Sequence, residues 1–332
     1  MQRAVYRGVM ILCLVAGIPF MNRLDAQSYQ VRAQVSTNLP HYQPAASIKG
    51  QVDIPCTDTL PEVGDEWTRG FRKYHPESNL IFRYKPSGDA AKQLLDGSAP
   101  LVIMARELSS AEMKAFRDKY GYMPMRMPVG MDANIVFVNK ANPINSITME
   151  QLDAIYSKTR KGGAKEPAVV WGDLGVRGEL AKRRIDAFSR PQGSAVRASF
   201  GDLALLQGEF RDGLQERDDY PALAEAVTTD AASIGYGPLI CWYSTNKILP
   251  VVPYDGNEAR YPTQEMVTTS RYPMTRLFYA YLNRAPGDAV PKPINEVLHL
   301  ILSQEGQNEV ADGGLLPAPV EYLTIALKRL SR

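Results

Sequence analysis

Histidine and cysteine are scarce, with three of each in 332 residues. His41, His75 and His299 stand far apart and no cysteine cluster accompanies them, so no metal-ligand spacing exists and no cofactor is expected. The same scarcity argues against an enzyme. Ser194 as a nucleophile would have to draw its base from one of three scattered imidazoles, none in a recognisable arrangement with it. Cys56 and Cys241 are far apart in sequence, which gives little reason to expect a disulfide even where an oxidising compartment permits one.

A charge surplus is also missing. Lys and Arg number 38 against 36 Asp and Glu. Removal of residues 1–26 takes away Arg3, Arg7, Arg23 and Asp25, which leaves 35 of each. A formally neutral chain argues against a nucleic-acid partner held through bulk charge, so any positive charge in use must be local. No internal repeat or low-complexity tract occurs. The one notable apolar run, Val9 to Ile18 (VMILCLVAGI), is too short to span a bilayer. With Arg3 and Arg7 before it and Leu24-Asp25-Ala26 after it, residues 1–26 read as a cleaved signal peptide. Cys13 lacks the small residues that precede a lipid-modified cysteine. A periplasmic or secreted location is therefore expected, rather than a lipoprotein.

What the chain does have is alternation. After an extended polar leader over 27–47, short apolar strands and amphipathic helices follow one another. Strands are predicted at 50–55, 80–84 and 101–105, with helices over 60–74, 90–95 and 109–120. Val63, Trp67 and Phe71 fall at helical spacing, and Ser109 with Glu112 forms a capping-box pattern. Strand, turn, helix repeated three times argues for parallel βαβ units, with an α/β sheet covered on both faces. In such sheets ligands bind beyond the carboxyl ends of the strands, which places Thr57 to Thr59, Ser87 and Arg106 on one edge. Further strands are expected at 132–139, 232–239, 248–252 and 276–282, and helices at 148–156, 222–228, 294–303 and 322–330. Trp67, Trp171 and Trp242 are expected to pack in cores rather than stack on a ligand.

The stretch Phe188 to Phe200 (FSRPQGSAVRASF) is the most suggestive. A strand end is followed by Arg190, then Gly193 and Ser194, then good helix formers. The first N–H groups of a helix have no internal partner, and its dipole places partial positive charge there. Gly193 permits close backbone approach, Ser194 adds a hydroxyl, and Arg190 offers a planar fork suited to a tetrahedral oxyanion. Alone, the stretch reads equally well as an ordinary strand-to-helix turn.

Taken in order, pieces spread along nearly the whole mature chain carry a resemblance. They are GSAPLVIMAREL (97–108), VGMDANIVFVN (129–139), TMEQLDAIYS (148–157), VWGDLG (170–175), the 190–194 loop, IGYGPL (234–239), YPMTRLFYAYLN (272–283) and LSQEGQNEVADGGLLP (302–317). In this order they resemble the phosphate-binding receptors of bacterial ABC transporters, which have the two-lobe, type II periplasmic binding protein-like fold. The resemblance implies two lobes, each a mostly parallel sheet flanked by helices, with lobe 1 from 48–133 plus 240–332 and lobe 2 from 134–239. It implies a monomer that binds inorganic phosphate between the lobes and docks on a membrane permease. Matched residue by residue, the family's anion site falls on Thr59, Leu60 (through its N–H), Ser87, Arg190, Gly193 and Ser194, with Arg106 as a further candidate. Two departures stand out. The family loop usually runs Gly-Ser-Gly-Thr, whereas Val196 here lacks the last hydroxyl. Ala105-Arg106 stands where some members carry the aspartate that takes a proton from bound phosphate. A receptor for another oxyanion or small carboxylate, or an anion sensor or surface interaction protein on the same scaffold, therefore stays open.

Overall fold

Short β-branched and aromatic runs, each followed by apolar residues at helical spacing, fold as the alternation predicts. The computed structural model describes residues 33–331 apart from 242 and 244. The signal-peptide expectation over 1–26 and that for Trp242 lie outside the described residues. The first half runs β1 (Gly50–Thr57), α1 (Pro61–Tyr74), β2 (Ser78–Lys85), α2 (Ser87–Asp96), β3 (Leu101–Met104), α3 (Ser110–Tyr120) and β4 (Met125–Ala133). Next come β5 (Ile135–Asn139), β6 (Ile147–Thr148), α4 (Met149–Tyr156), β7 (Asp186–Ser189), α5 (Ala195–Ala204), β8 (Gln215–Glu216), α6 (Tyr220–Thr228) and β9 (Ser233–Gly237). The chain closes with β10 (Asn246–Leu249), β11 (Val251–Val252), α7 (Gln264–Thr268), β12 (Thr275–Leu282), α8 (Lys292–Ile301), α9 (Gln304–Asp312) and α10 (Val320–Leu330).

Two five-stranded sheets result, ordered β2-β1-β3-β12-β4 and β10-β5-β9-β7-β8. Each is mostly parallel, as expected: four of its five strands run one way and a single strand runs against them. In the first, β1 pairs parallel with β2 and β3, while β12 returns antiparallel between β3 and β4. In the second, β7 is parallel to β8 and β9, and β5 is antiparallel to β9 and β10. The chain leaves the first sheet at Asn134 and re-enters it at Thr275. The Asn134 N–H donates to Met274 O at 3.0 Å, so the two crossings run side by side. The sheets thus divide at about 274, not at 239/240. β10 caps the edge of β5, and Ile248, Leu249, Val267, Tyr272 and Met274 belong to the second sheet's core.

Two further differences have local causes. The predicted strand 132–139 is two strands broken at Asn134, and the first begins at Met125 despite Pro128 and Gly130. Pro128 is tolerated because β4 is an edge strand and the ladder to β12 bulges between Phe278 and Tyr279. The leader is not merely extended. Leu39 and Tyr42 are buried in the first sheet's core, and the Tyr42 hydroxyl donates to Glu296 Oε2 at 2.6 Å. The helical spacing of α1 holds: Val63, Trp67 and Phe71 are buried, and the Trp67 indole N–H donates to Gly306 O. Trp171 is likewise buried, its N–H donating to Ala232 O. Cys56 and Cys241 are both buried free thiols, each in a different core. No helix among the described residues is long and apolar enough to cross a membrane.

Candidate functional site

Because β2, β1 and β3 are parallel neighbours, their carboxyl ends share one edge, and three turns meet there. Asp58 N–H donates to Lys85 O at 3.1 Å, and Ala105 N–H donates to Ser87 Oγ at 3.0 Å. The Thr57–Leu60 turn, Ser87 and Ala105–Arg106 are thereby stitched together. Thr59 Oγ1 lies 3.1 Å from Thr57 Oγ1, and the Leu60 N–H makes a long 3.3 Å bond to Thr57 O just ahead of α1. Ser87 is the first residue of α2, so its hydroxyl sits at that helix's positive end. Since its oxygen already accepts from Ala105, its own hydrogen is free to donate elsewhere.

Arg106 lies beside the same helix start, where a Cβ on Gly88 would stand 3.9 Å from Arg106 NH2. Its fork is engaged: NH1 and NH2 donate to the two oxygens of Glu112 at 2.8 and 2.9 Å, and NH1 also to Glu107 O. The Arg106 hydrogen bonds hold the Glu112 carboxyl down to about 2, against its burial. Glu112 is also the capping-box residue of α3, accepting from Ser109 N–H at 2.7 Å. Arg106 therefore reaches the cleft edge as half of an ion pair rather than as a free cation.

The second sheet supplies the facing half. β7 ends at Ser189, whose hydroxyl lies 2.7 Å from the Tyr236 hydroxyl; Tyr236 stacks on Phe200 at 3.8 Å between ring centroids. That packing fixes the base of the next loop. Arg190 NH1 donates to Arg217 O at 2.8 Å, its guanidinium carbon lies 4.7 Å from the Tyr220 ring centroid, and its Nε is buried with no partner among the described residues. Gly193 turns the chain at φ +91, a backbone state that favours glycine. Ser194 caps α5, its Oγ accepting from Arg197 N–H at 3.2 Å, which again leaves the hydroxyl hydrogen available. No acidic residue occupies the first turn of α5, so its positive end is uncompensated from within the helix. Val196 is buried in the second core, so the position where the family pattern carries a hydroxyl serves packing here.

The halves face each other. Asn134 Nδ2 donates to Ser199 Oγ at 2.9 Å, which ties the first crossing to α5. Burial raises the Asp202 carboxyl and Arg106 across the cleft opposes that rise, so the two charges sense one another. At the cleft floor, Arg276 Nε and NH2 donate to Asp132 Oδ2 at 3.1 and 2.5 Å, and Asp132 Oδ1 accepts Leu239 N–H at 3.0 Å. Neither Asp132 nor Arg276 is among the residues that the resemblance places in the site. The signal was available: a lone aspartate and a lone arginine interrupt two apolar strands, and buried charges of that kind pair. Among the described residues no group of three or more His, Cys, Asp or Glu could hold a metal ion.

Comparison with known proteins agrees with this architecture. Residues 42–303 match the model of the PBP superfamily domain. The chain is 32% identical over 298 residues to the phosphate-binding protein PstS of Pseudomonas aeruginosa, covering 90% of this chain and 92% of that one. A possible phosphate-binding protein from Planctomyces limnophilus superposes with a TM-score of 0.66 at 19% identity, over 86% of this chain and 99% of that one. An ABC-type phosphate transport receptor from Vibrio cholerae gives 0.65 at 17% identity, over 80% and 99%. The chain belongs to the PBP superfamily and, within it, to the family of the phosphate-binding protein PstS.

Proposed function

We propose that the protein is a phosphate receptor that binds the anion between its lobes and delivers it to an ABC transporter permease. The observation that carries this reading is a matched pair of serines. Ser87 and Ser194 each sit at a helix start, on facing sheets, and each accepts a backbone N–H so that its hydroxyl is left to donate. Arg190 supplies charge, Gly193 lets the backbone approach, and Thr59 with the start of α1 after Leu60 closes the first-lobe side. Arg106 lines the edge through its pair with Glu112. The role is binding, without a covalent step, by a monomer that needs no nucleic acid, in the periplasm or outside the cell after signal cleavage.

Magnitudes make Arg190 central. A micromolar site requires about 8 kcal/mol of net binding. A helix terminus contributes at most about 1–2 kcal/mol toward an anion. Charge-assisted hydrogen bonds, roughly 1.5–3 kcal/mol each, supply the remainder after the entropy loss of association. Ligand contacts made by both lobes at once would shift the population toward a closed form.

A second reading has specific support. Arg106 stands where an acid would test for a protonated oxyanion, and Val196 withholds a hydroxyl, so a different oxyanion or a small carboxylate would meet less discrimination here. Calorimetric titration of the mature chain with phosphate, sulfate, molybdate and small carboxylic acids separates the two. Phosphate binding at micromolar affinity or tighter, ahead of the others, is expected. Silence toward phosphate with binding of sulfate or a carboxylate would replace the phosphate reading with the second.

A further inference from the structure

Arg276 opens β12 at the point where the chain re-enters the first sheet, opposite Asp132 at the end of β4. Both are buried, Arg276 at 7% exposure and Asp132 at 0%. Their geometry is lopsided. Two nitrogens of the guanidinium, Nε and NH2, crowd onto Asp132 Oδ2, while the other carboxylate oxygen is taken by Leu239 N–H. The third nitrogen, NH1, is buried and has no partner among the described residues. A pair built only for stability would present both oxygens to two nitrogens, since an orphaned buried donor is destabilising.

Arg190 is in a similar state close by. Its Nε is also buried with no partner among the described residues, and its guanidinium lies over the ring of Tyr220. Burial pushes the Tyr220 phenol up to about 12, and Arg276 and Arg190 both oppose that rise, which places the two guanidinium groups around one side chain. The buried Cys241 thiol senses the same three charges, Asp132, Arg190 and Arg276. Two guanidinium groups thus lie around Tyr220, one of them paired with Asp132, and each has a buried donor with no partner among the described residues.

We propose that Arg276 is a specificity-determining residue of the anion site, offering NH1 as a second guanidinium donor beside Arg190 while Asp132 holds its other edge. The proposal rests on the phosphate reading and extends it. With Asp132 neutralising one of the two guanidinium charges, the floor carries about one net positive charge in a place poor in water. Such a floor favours the more highly charged form of a tetrahedral anion, because the field of a desolvated charge is weakly screened.

Phosphate calorimetry on three proteins, below and above the second ionisation of phosphate, tests this. Arg276→Lys keeps a charge but loses the fork, and phosphate affinity is expected to fall about tenfold or more, the range of one charge-assisted hydrogen bond. Asp132→Asn leaves Arg276 cationic and uncompensated. Affinity is then expected to rise, more so for the doubly charged anion, although the variant is thermally weaker. A pair with only a structural role predicts the opposite, so unchanged or reduced affinity in Asp132→Asn overturns the proposal, including the case in which Arg276→Lys does not fold. If the unaltered chain does not bind phosphate, the phosphate reading falls and this inference with it. If the unaltered chain binds and both variants bind equally well, only this inference falls.

Discussion

Arg190→Ala removes three interactions that the structure allows to be weighed separately. The bond from NH1 to Arg217 O and the stacking on Tyr220 belong to the unliganded protein. A hydrogen bond from a charged donor is worth about 1.5–3 kcal/mol at most, less for a partly buried side chain such as Arg190, and an accessible cation–π contact about 0.5–1 kcal/mol. The unliganded fold should therefore lose roughly 1–3 kcal/mol, a drop of several degrees in Tm at about 2–4 °C per kcal/mol for a protein of this size. The third loss appears only with ligand present. If the Nε and one further nitrogen donate to the anion, two charge-assisted bonds disappear, and affinity falls between about a hundredfold and ten-thousandfold. Thermal denaturation with and without phosphate resolves both effects, because a saturating ligand at about 100 times its Kd adds roughly 2.7 kcal/mol to the native state. The variant is expected to melt a few degrees lower and to show no phosphate-induced rise, and calorimetry should find no heat of binding. A variant that melts lower yet retains the phosphate-induced rise would refute the assignment of Arg190 to the site.

The leader and the helices under it yield further expectations. His75 Nε2 donates to the Tyr42 hydroxyl at 2.7 Å and its Nδ1 accepts from Ile48 N–H at 3.4 Å, and burial lowers its pKa below the ordinary 6.5, with Glu296 opposing. Burial lowers His299 as well. Unfolded imidazoles then take protons that the folded ones resist, so stability is full above about 6.5 and declines as pH falls below it. Thermal midpoints across pH should show that decline, and His75→Gln should flatten it; an identical slope in the variant would remove His75 as the cause. Glu309 in α9 has the opposite sign. Burial pushes its carboxyl up to about 8, aided by Glu66, Glu305 and Asp312 against Lys73, and its Oε2 is buried with no partner among the described residues. Its contribution is present below the ordinary 4.5 and is lost as pH rises through 8, so Glu309→Gln should raise the midpoint at alkaline pH and leave it nearly unchanged in acid. Equal shifts at both extremes would contradict this.

Much of the first sheet was legible because its signals are local. The apolar runs, the spacing of Val63, Trp67 and Phe71, and the Ser109–Glu112 box each specify an element without reference to the rest. The lobe boundary was less legible. Ile248 and Leu249 announce a strand, but nothing local says that it caps β5 rather than returning to the first sheet. Met125 to Gly130 hid behind Pro128, which only the edge position of β4 permits. Local residues could place Ser87, Arg190, Gly193 and Ser194 at strand-to-helix turns. They could not show that Glu112, six residues on, would occupy the fork of Arg106. Nor could they pair Asp132 with Arg276, 144 residues away, since long-range partners depend on sheet order.

A crystal structure of the mature chain grown with phosphate tests the central claim most directly. The account predicts one tetrahedral anion between the lobes, with oxygens in hydrogen-bond range of the Ser87 and Ser194 hydroxyls and of the Arg190 guanidinium together. An anion held by one lobe alone, or seated away from these three residues, would contradict it.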